Sequence, residues 1–184
     1  QAIAELEGVD EVEGGFSSMV LWETGTEKGK MPIQAHALLD TMNQPVIVEG
    51  TLPSVEGEVA IEEKMAKKEG IKVGDTLSIQ HEGELKAESF VVTAIINEPA
   101  YTCMQALDAR GKGEMGIGSA YYYIVLTKEA FDKSEFDDCY TTAYIKNYEL
   151  DNYYYFSDEY KTKEAVLEEK LEVLGEERSQ IRYD

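Results

Sequence analysis

Between Val46 and Ile79 the chain alternates short apolar runs with residues that force turns, and this pattern leaves few folds open. Val46 to Val48 is a β-branched run stopped by Gly50 and Pro53, so it reads as a strand running into a turn. Val59 to Ile61 is a second short apolar run. Glu62 to Glu69 then carries helix formers. Ala60, Met65 and Ala66 are placed to face a core, and Glu62 and Glu63 sit at the N-terminal end, where the helix dipole favours acid. Gly70 supplies the left-handed residue that ends a helix, and Ile71 folds back as its hydrophobic contact. Gly74-Asp75 makes the next turn, and Leu77 and Ile79 alternate inward on a following strand. The unit is strand, helix, glycine cap, turn, strand. None of it carries reactive chemistry.

At 184 residues, 43% of them hydrophobic, the chain is long enough for one ordinary domain with a real core and a smaller lobe. Its net charge of −20 disfavours nucleic acid and anionic lipid, because no basic cluster offsets the repulsion. That acid reads as solubilising surface. Runs such as Asp132 to Asp138 lack the spacing of a calcium loop, so no metal site and no cofactor is expected. No basic and apolar leader precedes the fold, and the longest apolar run, Ala120 to Leu126, is far short of the roughly 20 residues of a membrane span. The expectation is a soluble piece of a longer chain. Cys103 and Cys139 have no metal-ligand spacing; they form a disulfide if the chain is extracytoplasmic, or remain two unpaired thiols.

Along the chain, Gln1 to Leu6 reads as the last turns of a helix capped by Gly8, and Phe16 to Trp22 and Met31 to Leu39 as strands around a polar turn. Glu82-Gly83-Glu84 turns the chain into a long strand, Lys86 to Asn97. There Phe90, Val92, Ala94 and Ile96 point one way and Val91, Thr93 and Ile95 the other. Apolar on both faces, it is expected at the centre of a sheet. Residues 97–120, rich in glycine but lacking a phosphate-loop pattern, are expected to be a flexible or inserted lobe. Tyr121 to Thr127 and Tyr140 to Lys146 read as strands. Ser157-Asp158 caps a closing helix, in which Tyr160, Leu167, Leu171, Leu174 and Ile181 form a coiled-coil-like seam interrupted by Gly175. Residues 160–184 are expected to lead back towards a coiled coil or a membrane span.

The catalytic inventory is thin. His36 and His81 stand in strand-like surroundings without a Ser, Cys or Asp partner at triad spacing, and no H-E-x-x-H, G-x-S-x-G or C-x-x-C occurs. The chain reads as non-enzymatic. The tyrosines gather late, and Tyr121, Tyr123, Tyr144, Tyr153 and Tyr155 are the candidate face for a partner or ligand, since tyrosine offers large contact area at low entropic cost. Cross-strand aromatic pairing on a sheet is the plainer account of the same residues.

The run Gly57-Glu58-Val59-Ala60-Ile61, then Gly70-Ile71-Lys72-Val73-Gly74-Asp75-Thr76-Leu77, then Phe90-Val91-Val92-Thr93-Ala94-Ile95-Ile96, resembles the extracytoplasmic domain of FtsX-like (MacB-like) ABC transporter permeases. Ala94 stands where that family usually has glycine. Arg110-Gly111 and Gly116-Ile117-Gly118 before Tyr121 to Leu126, Tyr140 to Ile145, and the closing Leu174-Gly175-Glu176-Glu177-Arg178 resemble its Gram-positive branch. The resemblance covers most of the chain and implies an α+β fold, a mixed β-sheet with packed helices and a smaller inserted lobe, held as a single extracytoplasmic domain at the outer face of the cell membrane. It implies no chemistry in this domain. An ABC ATPase subunit and a second permease copy or paralogue are the implied partners, and a lipid, peptide or drug the implied cargo. Two other readings compete: a free-standing extracellular ligand-binding module using the tyrosine-rich face, and a β-barrel enzyme with two converging carboxylates.

Overall fold

The strands pair into one large mixed sheet and one small one. The computed structural model describes residues 2–101, 119–136 and 139–183. Among these, the strands are β1 (Glu11–Gly15), β2 (Ser17–Glu23), β3 (Lys30–Ala37), β4 (Val46–Gly50), β5 (Glu58–Glu62), β6 (Thr76–Gln80), β7 (Ser89–Asn97), β8 (Tyr122–Leu126) and β9 (Thr142–Lys146). The helices are α1 (Glu63–Glu69) and α2 (Asp158–Tyr183). The chain divides into two compact units, one comprising Gly14–Thr142 and the other Gln1–Glu13 with Ala143–Asp184.

In the first unit the sheet order is β4-β7-β5-β8-β3-β2-β6, and β6 also pairs with β7. Following neighbours from β7 through β5, β8, β3, β2 and β6 therefore returns to β7. Six strands close into a barrel, and β4 lengthens its wall beside the second half of β7. The β3–β8 and β5–β7 pairs are parallel and the others antiparallel. Closure removes two sheet edges and gives the apolar faces an interior to share. Val20, Trp22, Ile33, Ala35, Val59, Ile61, Leu77, Ile79, Phe90, Val92, Ile124 and Leu126 fill that interior as one buried cluster. β6 shows the strict alternation expected of Leu77 and Ile79. β8 is buried throughout because its other face, with Tyr123 and Val125, lies under a second cluster with Ala60, Ala94 and Ile96. The expected strand–helix–turn–strand unit is present: Met65 and Ala66 are buried, Gly70 is left-handed at φ 73°, and the Ile71 amide donates to the Ala66 carbonyl at 3.1 Å.

The long central strand departs from simple alternation. β7 begins at Ser89, not Lys86, and its register with β5 slips between Val59 and Ala60, which face Val92 and Ala94. Thr93 is the extra residue. Phe90, Val92 and Ile95 face the barrel interior, whereas Ala94 and Ile96 face the second cluster, so a bulge reverses the expected parity midway. Gly50 enables the matching close approach. At φ +83° it lies against Thr93, whose carbonyl oxygen would be 2.0 Å from a Cβ placed there and accepts from the Thr51 amide at 2.9 Å.

In the second unit β1 pairs with β9, and the Asp10 amide donates to the Lys146 carbonyl at 2.9 Å. The expected N-terminal helix is a single 3-10 turn, Ala2–Glu5. β1 has no counterpart in the sequence reading, because its Glu-Val-Glu-Gly-Gly composition carries no strand signal. The Ser157 cap is present, its Oγ accepting from the Tyr160 amide at 3.1 Å. Gly175 does not interrupt α2, which runs unbroken to Tyr183. Among the described residues no helix is long and apolar enough to cross a membrane.

Candidate functional site

Tyr153 to Phe156 leave a 3-10 turn (Leu150–Asn152) and enter α2 at Ser157, so these four consecutive aromatics lie in a loop with no sheet to alternate against. Tyr154, Tyr155 and Phe156 are 73%, 60% and 66% exposed. Their rings pack on one another edge to face, Tyr154–Phe156 at 5.6 Å and Tyr155–Phe156 at 5.0 Å, and Tyr155 leans on Tyr160 at 5.0 Å. The loop is thus a set of mutually supported rings facing water, which is uncommon on a surface without a binding task.

Tyr160, on which Tyr155 leans, feels nearby carboxylates. The Tyr160 hydroxyl is raised above its ordinary pKa, first by burial and then by the negative charges of Glu164 and Asp151 and by Tyr155. Lysines already lie on rings nearby, one of them paired with an acid as well. Lys163 Nζ lies 5.3 Å from the Tyr153 ring centre and pairs with Glu149 at 2.5 Å, and Lys146 Nζ lies 4.4 Å over Tyr148. A groove of about 300 Å³ follows on the same unit, lined among others by Glu7, Asn147, Glu149, Lys163 and Lys170. Its lysines are taken, Lys163 by Glu149 and Lys170 by Glu7 at 3.0 Å.

A second constellation lies on the outer face of the barrel. Tyr101 stacks on Tyr123 with ring centres 4.3 Å apart and planes 14° apart, and its hydroxyl hydrogen-bonds His36 Nε2. The Glu98 amide donates to the Tyr123 hydroxyl at 2.8 Å. Burial lowers the His36 imidazole to about 4 and raises the Glu98 carboxyl to about 7. His36 Nδ1 is buried without a hydrogen-bond partner. His36, Tyr101 and Tyr123 form a small polar cluster against the apolar second core. They present no nucleophile and base pair, and among the described residues no group of three or more His, Cys, Asp or Glu is placed to hold a metal ion.

The five candidate tyrosines divide between the two units, Tyr121 and Tyr123 in the first and Tyr144, Tyr153 and Tyr155 in the second. Tyr123 is 1% exposed and belongs to the core, so it is unavailable to a partner; its position in an all-buried strand overrides its polar tip. Tyr121 is exposed, Tyr144 and Tyr153 are half-buried, and Tyr155 is exposed in the loop. The late tyrosine run read from sequence reaches Tyr154, but the candidate face leaves out both Tyr154 and Phe156. The available signal was an aromatic run immediately before a helix cap, where strand alternation cannot apply. Cys139 is exposed, and Cys103, its candidate partner, lies outside the described residues, as does most of the expected 97–120 lobe.

No family model matches the sequence, and no curated protein matches it. Among solved structures, the chain is similar to the extracellular domain of the noncanonic ABC-type transporter YknZ from Gram-positive bacteria. That likeness has 11% identity and a TM-score of 0.48, over 79% of this chain and 69% of that one. The chain is also similar to a domain of a Porphyromonas gingivalis protein assigned as a permease, with 11% identity and a TM-score of 0.42, over 79% of this chain and 60% of that one.

Proposed function

We propose that this chain is the extracytoplasmic domain of an FtsX-like or MacB-like ABC transporter permease. In this reading it stands at the outer face of the cell membrane and couples ATP hydrolysis by a cytoplasmic ATPase subunit to export, release or sensing of a lipid, peptide or drug. One observation carries the reading. The run from Gly57 to Ile96 that resembles this family in sequence is built as consecutive β5, α1, Gly70 cap, β6 and β7, with the resembling positions Val59, Ile61, Leu77 and Val92 buried together in the barrel. A closed barrel is suited to moving as one body, because its elements are close-packed. The site geometry fits a part that binds or moves, without chemistry of its own.

The parent reading frame tests this directly. Apolar segments of about 20 residues on both sides are expected. A start codon or signal peptide just before Gln1 together with a stop just after Asp184 would refute it. In the intact permease, replacing the barrel residue Ile61 by aspartate is expected to uncouple ATP turnover from the transport cycle while leaving nucleotide binding by the ATPase intact.

A further inference from the structure

The exposed aromatic loop is more specific than a general sticky patch. Three rings face solvent in sequence, at Tyr154, Tyr155 and Phe156. Within residues 151–164 the acids are Asp151, Asp158, Glu159 and Glu164 and the bases only Lys161 and Lys163. Lys163 is already held by Glu149 and the Tyr153 ring. Among the described residues, no ion pair engages Asp151, Asp158 or Glu159. The first turn of α2 does not neutralise them either. A helix N-terminus is equivalent to about half a positive charge, and both Asp158 and Glu159 sit there. The loop therefore combines negative potential with the negative faces of exposed rings, and both attract the same thing, a cation on an apolar stem.

We propose that the Tyr154-Tyr155-Phe156 strip, with the carboxylates of Asp151, Asp158 and Glu159, docks a lysine- or arginine-bearing segment of a polypeptide partner. Charge complementarity selects the occupant. A second copy of this chain would bring another net charge of −20 to the contact. Anionic lipid is repelled for the same reason. A metal ion needs convergent oxygens and has no use for rings. A lysine or arginine side chain satisfies both features, laying its methylenes on the rings and its charge among the carboxylates. The same unit already seats Lys146 on Tyr148 and Lys163 on Tyr153. The proposal stands whether or not the chain belongs to a permease.

The test is fluorescence anisotropy of the full chain with a labelled peptide of alternating lysine and glycine, beside the same peptide with glutamine for lysine. The lysine peptide is expected to bind at low salt and the glutamine peptide not. The triple variant Tyr154→Ser, Tyr155→Ser, Phe156→Ser leaves net charge unchanged and is expected to weaken lysine-peptide binding about tenfold. The single Tyr154→Ser, at the most exposed ring, perturbs folding least and is expected to weaken it about threefold. A control variant, Val46→Ser, Ile47→Ser, Val48→Ser, removes the exposed apolar residues of β4 and is expected to bind like the parent. Unchanged binding by both loop variants would mean that overall charge alone holds the peptide, and would overturn the proposal. So would equal binding of the glutamine peptide, no binding of the lysine peptide, or adsorption of the chain to phosphatidylcholine vesicles lost in the loop variants but with no peptide binding.

Discussion

His36 and Glu98 place opposite demands on pH. The folded state holds His36 neutral, with its imidazole lowered by burial to about 4 from an ordinary 6.5, so the stability it contributes is present above about 6.5 and lost as pH falls through 4. Glu98 is the reverse. Its carboxyl is raised by burial to about 7 from 4.5, so its contribution is full below 4.5 and lost as pH rises through 7. Between 4.5 and 6.5 the two slopes oppose each other, each at most about 1.4 kcal/mol per pH unit. The expected outcome in urea melts is that Glu98→Gln gains stability over the parent progressively from pH 4.5 to 7, and that His36→Gln gains progressively from pH 6.5 down to 4. Differences that stay constant across these windows would show that neither group is buried as described.

At the scale of elements, α2 tests how far helix propensity prevails without deep burial. From Asp158 to Ser179 none of its residues is fully buried; Tyr160, Leu167, Leu171 and Leu174 are half-buried, and Val166 and Val173 are exposed. Its seam follows the heptad positions read from sequence, yet Gly175 sits inside the helix with open space where a Cβ would lie. Gly175→Ala is expected to stabilise the C-terminal turns by about 1 kcal/mol, read as slower amide exchange from Glu172 to Arg178 and a higher helical signal. Faster exchange would mean that this stretch needs glycine for a bend. Elements with a strong local signal were legible, as with the Gly70 cap, the alternating β6 and the Ser157 cap. β1 was not, since its pairing with β9 is fixed by a partner more than a hundred residues away in sequence.

At the scale of the whole molecule, the charge of −20 opposes compaction. Raising sodium chloride from about 20 to about 500 mM screens that repulsion and is expected to lift the first calorimetric transition by roughly 2–4 °C, equivalent to about 1 kcal/mol. A fall in transition temperature would show that ion pairs such as Lys28–Glu69, at 2.6 Å, outweigh the repulsion. The sequence by itself determined the elements with strong local signals, because caps, turns and periodicity act over a few residues, and it placed Ala60, Met65, Ala66, Leu77 and Ile79 towards a core. It also marked the late tyrosines as the residues to watch. Tertiary structure decided the rest. Barrel closure through β6 and β7, the parity reversal at Thr93 against Gly50, the burial of Tyr123 and the exposure of Tyr154 to Phe156 all depend on which surface a side chain meets. That is settled by pairing between segments distant in the chain, and no local pattern encodes it.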